Sequence, residues 1–251
     1  MKKSVLNTIN SLICYWDFSG EYPLVSKGPH QYKLQEGNGE VKILHEGPVS
    51  GHSAKFEEGQ YLYIPRTECP ALNICGKNAQ VTILAWIKRD KKSYIQCEAI
   101  AGMWNETEKK RQYCMFLNLR LFDSADQVCG HISSVGGPTK GEKWCIDASK
   151  GQKSVPYNEW QFIGFTYNGE EIISYLNGRP DYRANHSPYH YTEGVFETGT
   201  GGSDFTVAAV HRLGEMGNNF VGLISGLAIY NSALTKQEIY RIYQNGNVNT
   251  L

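Results

Sequence analysis

The sequence predicts an all-β sandwich that ends in one short helix. Short runs in which apolar and polar residues alternate follow one another along the chain, separated by Gly, Asn and Pro, a pattern typical of strands joined by turns. Gly is frequent, with 26 residues, and no Pro- or Ser-rich linker divides the 251 residues. We therefore expect a single domain over residues 1–251, because this length suits one large β domain.

The strands are predicted in order along the chain, and two turn signals define one hairpin. Asn-Gly pairs at 168–169 and 177–178 flank an apolar run, and two-residue hairpin turns prefer this pair. Near the C-terminus, Thr235 is followed three residues later by Glu238, the capping-box pattern of a helix start. The predicted strands lie within residues 12–18, 52–66, 80–90, 99–104, 111–122, 126–134, 159–179, 203–214 and 219–234, and the helix within 234–245.

The charge balance argues against partners that are recognised mainly by electrostatics. Lys+Arg 25 and Asp+Glu 25 give a formal net charge of zero. We therefore expect neither nucleic acid nor an anionic membrane surface as a partner. The chain also has no apolar run of about 18 residues, so no membrane-spanning helix is predicted.

The seven cysteines predict reduced thiols. They form an odd set at irregular spacings without a C-x-x-C pair, unlike the paired framework of a small secreted domain. The N-terminal segment also lacks the small-residue cleavage site of a secretory signal. The sequence therefore predicts a cytoplasmic protein, with secretion as the alternative.

Five motifs occur in an order that is typical of one family. Trp16 and Phe18 belong to an opening aromatic strand, Trp86 to the strand "VTILAWIKR", and residues 160–178 to a long hairpin. Residues 222–239 form a closing "GLISGLAIYNSALTKQEI" segment. Together the motifs resemble laminin G-like domains of the concanavalin A-like type. The resemblance implies a jelly-roll β-sandwich, a fold that carries lectins, adhesion modules, glycosidases and lyases.

The resemblance also bears on buried residues and on metals. Trp86 and Trp160 match the family's buried tryptophans, so we expect both in the core. Where many relatives carry an acidic residue that helps to bind calcium, this chain has Ser225 and Gly226. We therefore predict no cofactor and no metal site, because Asp17 alone gives only weak support for structural calcium.

A long loop is the most unusual feature of the sequence. Residues 130–147 leave a strand at His131 and exceed the length that a hairpin turn needs. Trp144 and Asp147, expected near the loop tip, offer an aromatic face and a carboxylate, which suit the apolar and polar sides of a sugar. The alternative is that such aromatic residues, including Tyr189 and Tyr191, pack the loops onto the sandwich. The predicted ligand-binding set is Trp104, Asn105, Glu106, Arg111, Tyr113, His131, Trp144, Asp147, His211 and Arg212.

The same region offers a lyase-like set of catalytic candidates. Arg111 and Tyr113 are two residues apart on one predicted strand, so we expect them on the same face. With His131 and His211 they can bind a uronate carboxylate and move a proton, as in a polysaccharide lyase. The structural alternative is that these groups only hydrogen-bond long loops to the sheet edge.

The hypothesis that the chain is a glycoside hydrolase depends on a pair of carboxylates. Glu106 and Glu108 alternate along the chain, as do the carboxylates of retaining jelly-roll glucanases. The alternative is a polar hairpin turn whose carboxylates are solvated. From these patterns we predict a carbohydrate-binding domain that recognises an oligosaccharide or polysaccharide in a groove roofed by long loops. The alternatives are a lyase or glycoside hydrolase on the same fold, and a protein-interaction module.

Overall fold

The computed structural model describes residues 10–121 and 123–246. The strands of the first half are β1 (Leu12–Trp16), β2 (Gln35–Glu36), β3 (Lys42–Leu44), β4 (Ser53–Phe56), β5 (Leu62–Ile64), β6 (Val81–Arg89), β7 (Glu98–Asn105), β8 (Lys110–Leu117) and β9 (Val128–Ile132). The second half holds β10 (Trp160–Tyr167), β11 (Glu171–Leu176), β12 (Arg179–Pro180), β13 (Tyr189–His190), β14 (Phe205–Val207), β15 (Val210–Arg212), β16 (Glu215–Gly217), β17 (Gly222–Tyr230) and the helix α1 (Lys236–Gly246). Short 3-10 turns lie at Arg66–Glu68, Pro70–Leu72 and Gly199–Gly201.

The strands form two sheets. The first sheet has the order β12–β11–β10–β6–β17–β4–β3, with β1 also paired to β17 and β13 to β11. The second sheet has the order β16–β15–β7–β14–β5–β2, and β8 and β9 extend it from β7. Long neighbours such as β10 and β6, or β7 and β8, are antiparallel. This architecture confirms the predicted concanavalin A-like β-sandwich with a short C-terminal helix.

The local signals in the sequence mark turns and a helix start, as predicted. Only Asn177-Gly178 forms a two-residue turn, since Leu176 pairs with Arg179, whereas the turn at Asn168-Gly169 is longer because the last pair is Tyr167 with Ile172. Asn168 accepts two backbone hydrogen bonds through its side-chain oxygen, from the N–H groups of Glu170 and Glu171 at 2.8 Å each. The oxygen thereby closes the turn between β10 and β11. At the start of α1, the backbone N–H of Thr235 donates to Glu238 at 2.8 Å, and the Glu238 N–H donates back to the Thr235 hydroxyl at 3.3 Å. The capping box is therefore confirmed.

The main core lies between the two sheets. Trp16 of the first sheet stacks on Phe205 of the second, with ring centroids 5.8 Å apart and both side chains fully buried. Phe56 and Phe165 add further buried rings to the same cluster. The two sheets thus bury their facing sides against each other, as in other β-sandwiches.

A second cluster covers the outer face of the first sheet. Trp86 packs on Phe162 and on Tyr243 of α1, with ring centroids 5.3 Å and 5.5 Å apart. Trp86 is buried as predicted, although its partner is the helix and not the other sheet. Trp160 is only half-buried at the border of this cluster, so the expectation that it is a core residue is wrong. It begins β10 and pairs with Lys88, where the sheet gives it less cover.

All seven cysteines are free in the structure, and their reduced state stays a prediction. Within residues 10–121 and 123–246, no group of three or more His, Cys, Asp or Glu side chains can hold a metal ion. The Asp17 carboxylate instead accepts from the Lys27 ammonium at 2.6 Å, and the Ser225 hydroxyl donates to the His52 carbonyl at 2.7 Å. In the same residues, no helix is both long enough and apolar enough to cross a membrane.

Candidate functional site

The floor of the candidate site is the outer face of the second sheet. Trp104 of β7, Phe116 of β8 and His131 of β9 are buried there and form a compact group of rings. The Trp104 and His131 centroids are 4.4 Å apart, and Phe116 lies 5.7 Å from Trp104 and 5.8 Å from His131. An imidazole thus lies in an aromatic floor that faces away from the main core.

A β-bulge decides which residues of β8 reach this face. Met103 pairs with Tyr113, but the next residue, Trp104, pairs with Arg111, so β8 carries an extra residue at Gln112. Tyr113 therefore points into the main core, where its hydroxyl donates to the Leu72 carbonyl at 2.6 Å. The expectation that Arg111 and Tyr113 share a face is wrong, because it assumed an unbroken alternation.

His131 is a buried imidazole whose hydrogen-bonding capacity is not used. Its exposed fraction is 4%, and neither ring nitrogen makes a hydrogen bond of good geometry to the described residues. Burial lowers the pKa of His131 to about 3, the positive charges of Arg111 and Lys150 add to this, and a polar contact with the Cys145 backbone opposes it only in part. The ring is therefore neutral near pH 7 and carries one donor and one acceptor.

Charged side chains form part of the walls. Glu106 accepts from the Trp104 indole N–H at 3.2 Å and lies 3.8 Å from the Arg111 guanidinium. Arg212 also lines the site, and its Nη1 donates to the Asn218 side-chain oxygen at 2.8 Å. Arg120 is exposed at the rim. Three guanidinium groups and one carboxylate thus border the site.

Residues 133–146, which we name the roof loop, close one side of the site. At its base the Ile132 N–H donates to the Asp147 carbonyl at 3.1 Å, and nearer its tip the Thr139 N–H donates to the Trp144 carbonyl at 3.1 Å. The Trp144 side chain is 52% exposed and lines the site. The Trp144 indole is therefore not buried against the sandwich, and its role at a ligand stays a prediction.

Asp147 lies at the base of the roof loop and not near its tip. Its carboxylate accepts from the Thr139 hydroxyl at 2.6 Å and from the Tyr189 hydroxyl at 3.2 Å. Tyr191 accepts from the Ser134 N–H at 2.8 Å and is buried in the main core. These groups hold the roof loop in place, and the expectation that Asp147 lies near the loop tip is wrong.

Together these elements enclose a cavity of about 280 Å3, which we name the outer-face pocket. Its lining residues are Cys97, Trp104, Glu106, Arg111, Phe116, Leu119, Arg120, Leu121, His131, Trp144, Cys145, Arg212 and Asn218. Six of the predicted ligand-binding residues therefore meet here: Trp104, Glu106, Arg111, His131, Trp144 and Arg212.

The remaining predicted residues do not line the pocket. The Asn105 side-chain oxygen accepts from the Glu108 N–H at 2.9 Å and so shapes the β7–β8 turn. His211 contributes its backbone carbonyl to the Glu106 N–H at 2.8 Å. Glu108 is exposed and paired with Lys110 at 2.6 Å, and it does not line the pocket, whereas Glu106 does. The predicted carboxylate pair is therefore not assembled.

Sequence reasoning missed about half of the lining. Phe116 has a usable signal, because a strand that buries Tyr113 and Met115 on one side must present Phe116 on the other. Leu119, Arg120 and Leu121 follow β8 in an irregular segment, and no pattern in the sequence marks them.

Comparison with known families gives one match that covers most of the chain. A laminin G model, described as the concanavalin A-like lectin/glucanases superfamily, matches residues 56–240. No curated protein matches the chain.

Solved structures resemble the chain at low sequence identity. Domain 4 of AbnA, a GH43 extracellular arabinanase from Geobacillus stearothermophilus in complex with arabinotriose, is 14% identical with a TM-score of 0.60, over 93% of this chain and 98% of that one. The binding domain of botulinum neurotoxin DC is similar in complex with SialylT (12% identity, TM-score 0.61, 97% of this chain and 53% of that one) and with rat synaptotagmin II (14%, 0.62, 95% and 52%). This chain thus spans about half the length of the neurotoxin binding domains. At these identities the likeness shows the fold alone.

Proposed function

Because the chain belongs to the concanavalin A-like lectin/glucanase superfamily, we propose that its outer-face pocket binds a carbohydrate. One observation carries the proposal: the neutral His131 ring lies in the aromatic floor, and neither nitrogen makes a hydrogen bond of good geometry to the described residues. A buried polar group without a partner costs free energy, and a ligand hydroxyl removes that cost. A sugar presents hydroxyl groups that both donate and accept.

Trp144 supplies the second element of sugar recognition. Its indole is exposed at the pocket rim, where the ammonium of Lys143 lies 4.9 Å from the ring. A flat aromatic face covers the apolar side of a pyranose, while polar groups on the floor bind its hydroxyls. The cavity of about 280 Å3 is close to the lower end of small-molecule sites, roughly 300 Å3, and suits a short stretch of glycan.

The solved structures support a glycan partner in general terms. Domain 4 of the arabinanase was solved with arabinotriose, and a neurotoxin binding domain with SialylT. Domain 4 has the fold of this chain over nearly its whole length, and the neurotoxin domain has it over about half of its length. They do not give the sugar that this pocket takes.

The arrangement favours binding over catalysis. Of the four lyase candidates, Arg111 and His131 line the pocket, whereas Tyr113 lies in the main core and His211 lies outside the lining. The hydrolase pair is likewise divided. The enzymatic alternative predicts shortened or unsaturated products when the protein is incubated with each glycan that it binds.

Titration calorimetry against a panel of neutral and acidic oligosaccharides tests the proposal. We expect at least one glycan to bind, and Trp144→Ala to weaken it about tenfold, since one stacking contact contributes roughly 1–3 kcal/mol. Tyr182→Ala is the matched control, because Tyr182 is also an exposed aromatic, 49% exposed, but lies outside the pocket. Equal losses in both variants, or no binding by any glycan, would refute the proposal.

A further inference from the structure

We infer that the sugar bound in the outer-face pocket carries a carboxylate, which the guanidinium groups of Arg212 and Arg120 receive. The inference rests on the proposed function and narrows it to acidic glycosyl residues, such as hexuronates or sialic acids. It depends on how the charges of the pocket are paired, on the unused hydrogen-bonding groups of Arg212, and on the neutrality of His131.

The pocket has more positive charge than its own acidic group can balance. Arg111, Arg120 and Arg212 line it with a single carboxylate, that of Glu106. Glu106 is committed to Arg111 at 3.8 Å and to the Trp104 indole. Within residues 10–121 and 123–246, neither Arg120 nor Arg212 has a carboxylate within ion-pair distance. Two guanidinium charges are therefore available to an anion.

Arg212 is held in place and still has donors to give. Its Nη1 donates to Asn218, itself a buried residue, which fixes the plane of the guanidinium. Its Nε is buried and has no hydrogen-bond partner among the described residues. A guanidinium presents its donors in a planar fork that matches the two oxygens of a carboxylate. A bound carboxylate would therefore satisfy a donor that folding leaves unused.

His131 complements this charge without adding to it. Because the ring lies among Arg111, Lys150 and aromatic side chains, its neutral form is favoured. It can then donate to one sugar hydroxyl and accept from another, while the arginines bind the acid group. The pocket thus separates charge recognition at its wall from hydroxyl recognition at its floor.

The test compares ligands that differ only in charge. Trigalacturonate and its fully methyl-esterified form share ring and linkage, and sialyllactose and its methyl ester form a second pair. We expect the acidic member of at least one pair to bind roughly ten- to a hundredfold more tightly, as for a charge-assisted contact. Its affinity should also fall as salt rises from 50 to 300 mM, because salt screens exposed charges. The pair that responds identifies the source of the carboxylate.

Variants link the preference to the assigned residue. Arg212→Gln should bring the affinity for the acid close to that for its neutral partner, while Arg212→Lys should keep part of the preference because it keeps the charge. Arg179→Gln is the control, because Arg179 is an exposed arginine on β12 of the first sheet. Unchanged melting temperatures show that each variant is folded.

The outcomes separate this inference from the proposed function. Equal affinity for acidic and neutral partners, with Trp144→Ala still weakening both, leaves glycan binding in place and overturns the carboxylate. A preference for sulfated sugars over carboxylated ones also overturns it. No binding by any sugar refutes both. If Arg179→Gln reduces the preference for the acidic sugar as much as Arg212→Gln does, Arg212 is not the residue that binds the carboxylate.

Discussion

The two outer faces of the sandwich carry similar aromatic residues and use them differently. On the first sheet, Trp86 and Phe162 are covered by Tyr243 of α1, and this face has become a second core. On the second sheet, Trp104 and Phe116 pack around a buried imidazole. Loops border that group but leave a cavity above it.

The difference teaches how the fold separates stability from recognition. An apolar sheet face must be covered, and a helix covers it with apolar side chains at a large gain in stability. A face that loops cover incompletely buries less apolar surface on folding and leaves a cavity with room for a ligand. Aromatic residues alone therefore do not identify a binding face. Unpaired polar groups do not identify it either, because Trp86 Nε1 and the Tyr230 hydroxyl of the covered face also lack a hydrogen-bond partner among the described residues. The cavity above the rings is what distinguishes the open face.

Removal of a ring from the covered face should have the largest effect. Trp86→Ala leaves a cavity between the first sheet and α1, because the ring is 4% exposed and contacts both Phe162 and Tyr243. We expect it to lower the free energy of unfolding by about 3–5 kcal/mol. Urea denaturation measures the loss directly.

Trp160→Ala serves as the comparison for that experiment. Trp160 is half-buried at the border of the same cluster, so its removal should cost only about 1–2 kcal/mol. Similar losses from both variants would mean that the helix does not cover the first sheet as described.

On the open face, a lower pH should reduce the free energy of unfolding, because the buried imidazole of His131 resists protonation in the folded chain. The pKa of His131 is about 3 in the folded chain and near 6.5 when unfolded, so the unfolded chain binds the extra proton first as pH falls. The contribution of the neutral His131 to the free energy of unfolding is fully present above about pH 6.5 and is lost as pH falls towards 3. Between pH 7 and pH 5 the loss should be about 2 kcal/mol.

His131→Gln isolates this contribution, because glutamine has similar hydrogen-bonding groups and does not titrate. The free energy of unfolding of the variant should depend on pH less steeply than that of the unmodified protein over the same interval. Parallel pH profiles of the two proteins would show that His131 is accessible to protons in the folded state.

Loss of the exposed ring of the open face should have the smallest effect on stability. Trp144→Ala removes a side chain that is 52% exposed on the roof loop, so the free energy of unfolding should change by no more than about 0.5 kcal/mol. Thermal unfolding without ligand measures it. A loss comparable to that of Trp86→Ala would mean that Trp144 packs on the sandwich and is unavailable to a sugar.

The sequence predicts the fold well because its signals are local. The Asn168 turn and the Thr235–Glu238 capping box each depend on residues within three positions of one another. Strand alternation depends on neighbours in the same way. Such patterns are visible in one chain, and together with the order of the motifs they identify a sandwich closed by a helix.

The candidate site is predicted less completely because it depends on pairing between distant strands. The bulge at Gln112 reverses the relation of Arg111 to Tyr113, and only the register between β7 and β8 reveals it. The position of Asp147 is likewise not predictable from neighbouring residues in the sequence. Its place at the base of the roof loop follows from its pairing with Ile132, which the sequence does not mark.

The roof loop is closed by one backbone hydrogen bond at its base and another nearer its tip, so the segment between Thr139 and Trp144 can be replaced. The pairing of Ile132 with Asp147 secures the base, so residues between Thr139 and Trp144 can be exchanged or extended without a change to the ladder of β9. Doubling the length of a loop costs only about 0.6 kcal/mol in closure entropy. Divergent descendants of this chain, or libraries built on it, can therefore vary the rim of the pocket at nearly constant folding stability.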